Sequence, residues 1–164
     1  MFKAGVLIIS DKGSRGERVD ECGPLLKDLT ANIAEVRVYE IIPDEKEMIA
    51  SKLKEWADKL RLDLVITSGG TGLSPRDVTP EATRLVIEKE IPGLAEAMRV
   101  QTAAKTPFAV LSRAIAGSRG NCLIINLPGS PGGVRECLDV IISVIPHAID
   151  ILQGKTFHGP HKGK

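Results

Sequence analysis

The sequence predicts an α/β fold, a three-layer α/β/α sandwich around a mainly parallel sheet, and three observations predict it. Three short runs, GVLIIS (5–10), DLVITS (63–68) and NCLIIN (121–126), are almost wholly apolar, as strands covered on both faces require. Segments with helical spacing of apolar residues separate the strands, so the connections read as crossovers between parallel neighbours. Each apolar run passes into a polar or glycine-rich loop: SDKGSRG, SGGTGLSPRD and NLPGSPGG. Ligands of open α/β sheets sit beyond the carboxyl ends of the strands, so these loops are expected to build one site together.

Taken in order, residues 5–10 form the first strand. A polar loop over 11–16 follows, then a helix over 17–29. AEVRVYEII (34–42) is β-branched and alternating, a second strand. In EKEMIASKLKEWADKL (45–60), Met48, Ile49, Leu53, Trp56 and Leu60 fall on one helical face. After the strand at 63–68, helices are expected near 79–90 and 93–105, and FAVLSRAIAG (108–117) reads as a weaker extended stretch. The strand at 121–126 leads to a last helix carrying Val134, Leu138, Ile141, Ile145, Ala148, Ile149 and Leu152 at helical spacing, kinked by Pro146 and stopped at Gly154. Residues 1–155 are expected to form a single domain and 156–164 a loosely ordered tail.

Composition excludes several classes of function. The 164 residues are 43% hydrophobic and 26% charged, ordinary for a soluble globular chain. Aromatic residues at 3% leave little for a base-stacking nucleic-acid surface, and 22 basic against 21 acidic side chains exclude a strongly basic polyanion binder. Cys22, Cys122 and Cys137 are odd in number and lack CxxC spacing, so they read as buried thiols in a reducing compartment, and the expected location is cytoplasmic. No run approaches the ~20 apolar residues of a membrane span. His158 and His161 are too few for a metal site.

The loops carry the chemistry. In SGGTG, Gly69, Gly70 and Gly72 let a ligand approach backbone N–H groups, and Ser68 and Thr71 add hydroxyls. A tight turn needing positive φ would account for one such glycine more readily than for three. Neither a P-loop nor GxGxxG is present. In PGSPGG, Ser130 suits an N-cap and Pro131 a first helical position, leaving Gly132 and Gly133 at the positive end of a helix dipole. Asp77 reads either as a turn residue bonding nearby backbone, with Thr79 capping the next helix, or as an oxygen ligand for Mg2+ beside phosphates. Arg76 would balance the anion. Asp44, three residues before Glu47, is close to a capping box, which the residues alone favour over a second metal-binding carboxylate. Ser10 and Asp11 close the first strand, and Arg113, Ser118 and Arg119 are candidate phosphate contacts.

Together, SGGTGLSPRDVTPEA, the LSR–AG–RG segment and NLPGSPGG resemble the MogA/MoaB family of molybdenum-cofactor biosynthesis proteins, over nearly the whole chain. The resemblance implies a homotrimer with molybdopterin adenylyltransferase activity: molybdopterin plus ATP gives adenylyl-molybdopterin and pyrophosphate, with Mg2+. It implies catalytic and metal-binding roles for Asp44 in PDE and Asp77 in RDVT. Ligand contacts would come from Ser10, Asp11, Ser68, Gly69, Gly70, Thr71, Gly72, Arg76, Arg113, Ser118, Arg119, Pro128, Gly129, Ser130 and Gly132. The molybdate-insertion enzyme of the same pathway is the implied protein partner. The intact RDVTPEA favours an active enzyme over a non-catalytic pterin- or nucleotide-binding protein, and over a CinA-like hydrolase, a family of typically longer chains.

Overall fold

In the computed structural model, which describes residues 1–155, a six-stranded sheet with order β2-β1-β3-β6-β5-β4 forms the centre. Its strands are β1 (Phe2–Ile9), β2 (Ala34–Ile42), β3 (Leu64–Ser68), β4 (Lys89–Glu90), β5 (Ala116–Arg119) and β6 (Cys122–Leu127). The first three and β6 run parallel, while β5 is antiparallel to β6 and β4 antiparallel to β5. The sheet is therefore mixed but mainly parallel.

Alternation along the strands divides the core in two. Ala4, Val6 and Ile8 of β1, Leu64 and Ile66 of β3, and Leu123 and Ile125 of β6 face one side. There they pack on α2 (Cys22–Thr30), α5 (Pro92–Thr102), α6 (Pro131–Ile141) and α7 (Ile145–Leu152). Leu7, Ile9, Val65 and Ile124 face the other, against α3 (Lys46–Asp58) and α4 (Thr79–Arg84). Trp56 is buried with Ile49 and Leu53 on the inner face of α3, whereas Met48 and Leu60 are exposed. The apolar stripe of α3 is thus narrower than its sequence suggests.

Three predicted helices are cut shorter, each for a local reason. The chain makes a single turn, α1 (Asp11–Ser14), and then runs without regular structure to α2. The Asp20 carboxylate accepts the Cys22 and Gly23 N–H groups and so fixes the start of α2 five residues later than expected. Helix α4 stops at Arg84, because the chain must reach the sheet edge, where Glu88 N–H donates to the Ser118 carbonyl and β4 begins. The last helix is two helices broken at 142–144, and Pro146 lies in the first turn of α7 instead of kinking a continuous rod. The extended stretch expected at 108–117 is a 3-10 turn over Pro107–Leu111, with only Ala116 onward in strand. The expected tail, with His158 and His161, lies outside the described residues. Cys22, Cys122 and Cys137 are buried free thiols, as expected.

Candidate active site

At the carboxyl ends of β1, β3 and β6 the three predicted loops meet. Their proximity is built into the backbone: Gly69 N–H donates to Leu127 O, the Ser68 hydroxyl donates to Pro128 O at 2.7 Å, and the Cys22 thiol donates to Gly129 O. A cleft of about 480 Å³ opens between them. Of the sequence-predicted residues it gathers Ser10, Asp44, Ser68, Gly69, Gly70, Asp77, Gly129 and Ser130. On the far side of the glycine loop lies a second, apolar hollow of about 450 Å³, lined by Thr71, Gly72, Met98, Phe108, Leu111 and Pro128 among others. Ser130 lines both spaces.

Each glycine of SGGTG has a packing reason of its own. Gly69 and Gly70 both take positive φ, +106° and +69°, which an L side chain adopts only with strain. A Cβ on Gly70 would overlap the Thr79 hydroxyl, and one on Gly72 would sit 2.9 Å from Asp77 Oδ2. Geometry thus accounts for all three glycines. The N–H groups of Gly70, Thr71 and Gly72 give no hydrogen bond to the described residues, so three backbone donors remain free at the turn.

The acidic residues divide into a brace and a pair. Asp11 and Asp44 are clamped reciprocally: Asp11 N–H donates to Asp44 Oδ2 at 2.9 Å and Asp44 N–H donates to Asp11 Oδ1 at 3.0 Å. Asp11 also receives Nε and Nη2 of Arg76, whose hydrogen bonds hold its carboxyl below the ordinary range. Asp11 is therefore a tie between the β1, β2 and β3 loops. Asp44 does not cap α3, because the N-cap position falls on Glu45 and the Asp44 carboxylate turns toward Asp11. Burial pushes the Asp44 carboxyl above the ordinary range, with the negative charges of Asp11 and Asp77 adding to it. The turn reading of Asp77 holds for one oxygen, since Oδ2 accepts Ser74 N–H at 3.0 Å. Thr79 is not a cap: its hydroxyl donates to Gly69 O and pins the loop from below. Asp44 Oδ1 and Asp77 Oδ1 accept no hydrogen bond from the described residues.

The predicted arginines are engaged elsewhere. Arg76 spans Asp11 and Glu45 on the outside of the cleft. Arg113 donates to Gly72 O, Asp77 O and the Glu81 carboxylate, so its guanidinium supports the loop. Ser118 and Arg119 lie at the opposite end of the sheet, because β5 runs antiparallel to β6 and pairs Arg119 with Cys122 at the strand's start. There Arg119 grips the Asp58 carboxylate with two hydrogen bonds of 2.9 Å. The structure does not bring these two residues to the cleft. At the second loop, Ser130 caps α6 as expected, its hydroxyl accepting Gly133 N–H, while Gly132 faces open space and lines neither hollow. Sequence reasoning missed Arg18, Val19, Asp20, Glu21 and Cys22, which line the cleft from the segment expected to be helical, and did not single out Gly13 in the polar loop before it. The signal available was Asp20 itself, two residues before Cys22 and suited to holding a helix start.

Fold and site define an α/β ligand-binding domain whose cleft, at the carboxyl ends of parallel strands, joins free backbone donors to two partly uncommitted carboxylates. The chain belongs to the molybdopterin-binding family: the model of a probable molybdopterin binding domain matches residues 5–147. It is 42% identical over 154 residues to a molybdopterin adenylyltransferase of Helicobacter pylori, covering 92% of this chain and 87% of that protein. It is 43% identical over 150 residues to the molybdenum cofactor synthesis protein cinnamon of Drosophila melanogaster, covering 90% of this chain but spanning only 25% of that longer protein. The crystal structure of a molybdopterin biosynthesis enzyme, MoaB, from Thermus thermophilus superposes with a TM-score of 0.90 at 52% identity, covering 94% of this chain and 98% of the other.

Proposed function

We infer that this chain is a molybdopterin adenylyltransferase of molybdenum-cofactor biosynthesis. The observation that carries this reading is the convergence of Asp44 and Asp77 on one cleft beneath a loop with free N–H donors, in a chain matching a full-length relative of that activity. The reaction joins a phosphate oxygen of molybdopterin to the α-phosphorus of ATP, and the bond from that phosphorus to the bridging oxygen of pyrophosphate breaks. The nucleophile is an ionised phosphate, so no protein base or covalent residue is needed. What the chain must do is align two anions and offset their charge.

The residues present fit Mg2+. A half-buried carboxyl crowded by two other acids, as Asp44 is, has its charged form favoured by a neighbouring cation. Mg2+ commonly takes only one or two carboxylates together with substrate phosphates, which matches two acids and the lack of any three-ligand cluster among the described residues. Asp44 and Asp77 would hold the ion through their uncommitted oxygens. Bound there, it would offset the charge on the phosphates and on the departing pyrophosphate. The free N–H group of Gly70 donates to a phosphate oxygen, and Ser10 and Ser130 supply hydroxyls at the cleft wall, while Thr71 and Gly72 line the neighbouring hollow. Asp11 and Arg76 hold the β1, β2 and β3 loops in register, and Arg113 fixes the carbonyls of Gly72 and Asp77, so all three act by positioning.

The working form is a homotrimer in the cytoplasm, consistent with the exposed apolar side chains of Leu73, Phe108, Val110 and Leu111. No helix among the described residues is long and apolar enough to cross a membrane. Incubating the purified protein with molybdopterin, ATP and Mg2+ tests the activity. Adenylyl-molybdopterin and pyrophosphate in equal amounts are expected. Tight binding of molybdopterin with no product would instead mark a non-catalytic carrier.

A further inference from the structure

The charge in the cleft is the reverse of what a phosphate site needs. Among the described residues its lining includes four carboxylates, Asp20, Glu21, Asp44 and Asp77, against a single cationic side chain, Arg18. The arginines expected from sequence to meet phosphate do not change this balance. Arg76 is spent on Asp11 and Glu45, Arg113 on Glu81 and two carbonyls, and Arg15 on Glu17. Arg18 gives no hydrogen bond or ion pair to the described residues. A metal ion held by Asp44 and Asp77 would offset those two acids and leave Arg18 as the one guanidinium still available among the described residues of the cleft lining.

The backbone that carries Arg18 is fixed on both sides. Before it, Glu17 N–H donates to Lys12 O, and the Glu17 carboxylate holds Arg15. After it, the Asp20 carboxylate accepts Cys22 N–H, Gly23 N–H and the Tyr39 hydroxyl. A Cβ on Gly23 would collide with both the Asp20 carboxylate and the Tyr39 ring, so the small residue there keeps this anchor closed. Only Arg18 and Val19 lie between the two anchors. The long side chain is thus delivered to the cleft wall from a short, tethered span.

We propose that Arg18 binds a phosphate group of a substrate in this cleft. The proposal rests on the adenylyltransferase reading for the identity of its ligands, which are the triphosphate of ATP and the phosphate of molybdopterin. Arginine suits either, because its planar fork meets phosphate oxygens through paired hydrogen bonds and stays charged at every working pH.

Arg18→Gln, which keeps length and polarity but removes the charge, tests it by kinetics and by calorimetry with Mg·ATP, pyrophosphate and molybdopterin. KM is expected to rise about tenfold or more for at least one substrate, with kcat held within a few-fold, and Arg18→Lys is expected to recover part of the loss. A rise confined to ATP, with weaker pyrophosphate binding, assigns the triphosphate. A rise confined to molybdopterin assigns the pterin phosphate. Unchanged constants for both substrates in an active enzyme overturn the proposal and leave the adenylyltransferase reading intact. Should the wild type turn nothing over, calorimetry still decides: Arg18→Gln binding weaker by about tenfold or more supports the phosphate contact, and equal binding, or no binding by the wild type itself, overturns it.

Discussion

Replacing Gly70 with alanine separates packing from ligand approach at the turn that frames the site. The residue sits at φ +69°, where an L side chain costs about 1–2 kcal/mol. The new methyl would overlap the Thr79 hydroxyl and lie 3.1 Å from Asp44 Oδ1. Relief requires Thr79, which is fully buried, to give up its 2.9 Å hydrogen bond to Gly69 O, leaving a buried carbonyl unpaired at about 1–3 kcal/mol. The two costs give a loss of roughly 3 kcal/mol, which for a domain of this size lowers Tm by about 6–12 °C. Circular dichroism melts measure it, with fluorescence of the single buried tryptophan, Trp56, as a second probe of cooperativity. Gly132→Ala is the control: its Cβ meets nothing within 4 Å, so the better helix former should raise Tm by about 1–4 °C. A Gly70→Ala protein that melts with the wild type would refute the packing argument and return this glycine to ligand approach alone.

Two further outcomes follow from particular contacts. The protein has one tyrosine, so an ultraviolet titration reads Tyr39 directly, and its midpoint should lie at about 12 because partial desolvation of its hydroxyl, reinforced by the hydrogen bond to Asp20, disfavours the phenolate. The stability tied to that group is then complete below pH of about 10 and fades as pH climbs through about 12; a midpoint near 10 would mean that the Asp20 anchor is open. Arg119→Ala should leave turnover within about twofold of wild type, since its guanidinium holds Asp58 at the far end of the sheet. A large fall in kcat there would contradict its placement outside the site.

Strands were the most legible part of the fold, because a strand covered on both faces needs an uninterrupted apolar run and little else writes one. The second strand, 34–42, was readable to the residue from its alternation. Helix ends were less legible, since single contacts set them: Ser118 O, 30 residues away, draws Glu88 out of the expected 79–90 helix, and the Asp20 carboxylate, two residues before Cys22, postpones α2. At the site, glycines and aspartates could be found because their positions at strand ends are sequence facts. The work of the arginines could not. Arg76 and Arg113 meet carboxylates 65 and 32 residues away, and nothing local distinguishes an arginine that holds a loop from one left free for a ligand. Arg18 went unnoticed for the converse reason, standing in a stretch whose composition reads as helix.

Adenylyl transfer by Asp77→Asn tests the central claim most directly. Asparagine keeps the oxygen that accepts Ser74 N–H, so the melt should match the wild type, while the negative charge offered to Mg2+ is gone. With saturating molybdopterin, ATP and Mg2+, kcat should fall by about a hundredfold or more, with molybdopterin binding retained. Wild-type turnover in this variant would contradict the assignment of Asp77 to the metal, and with it the account of how this cleft performs the transfer.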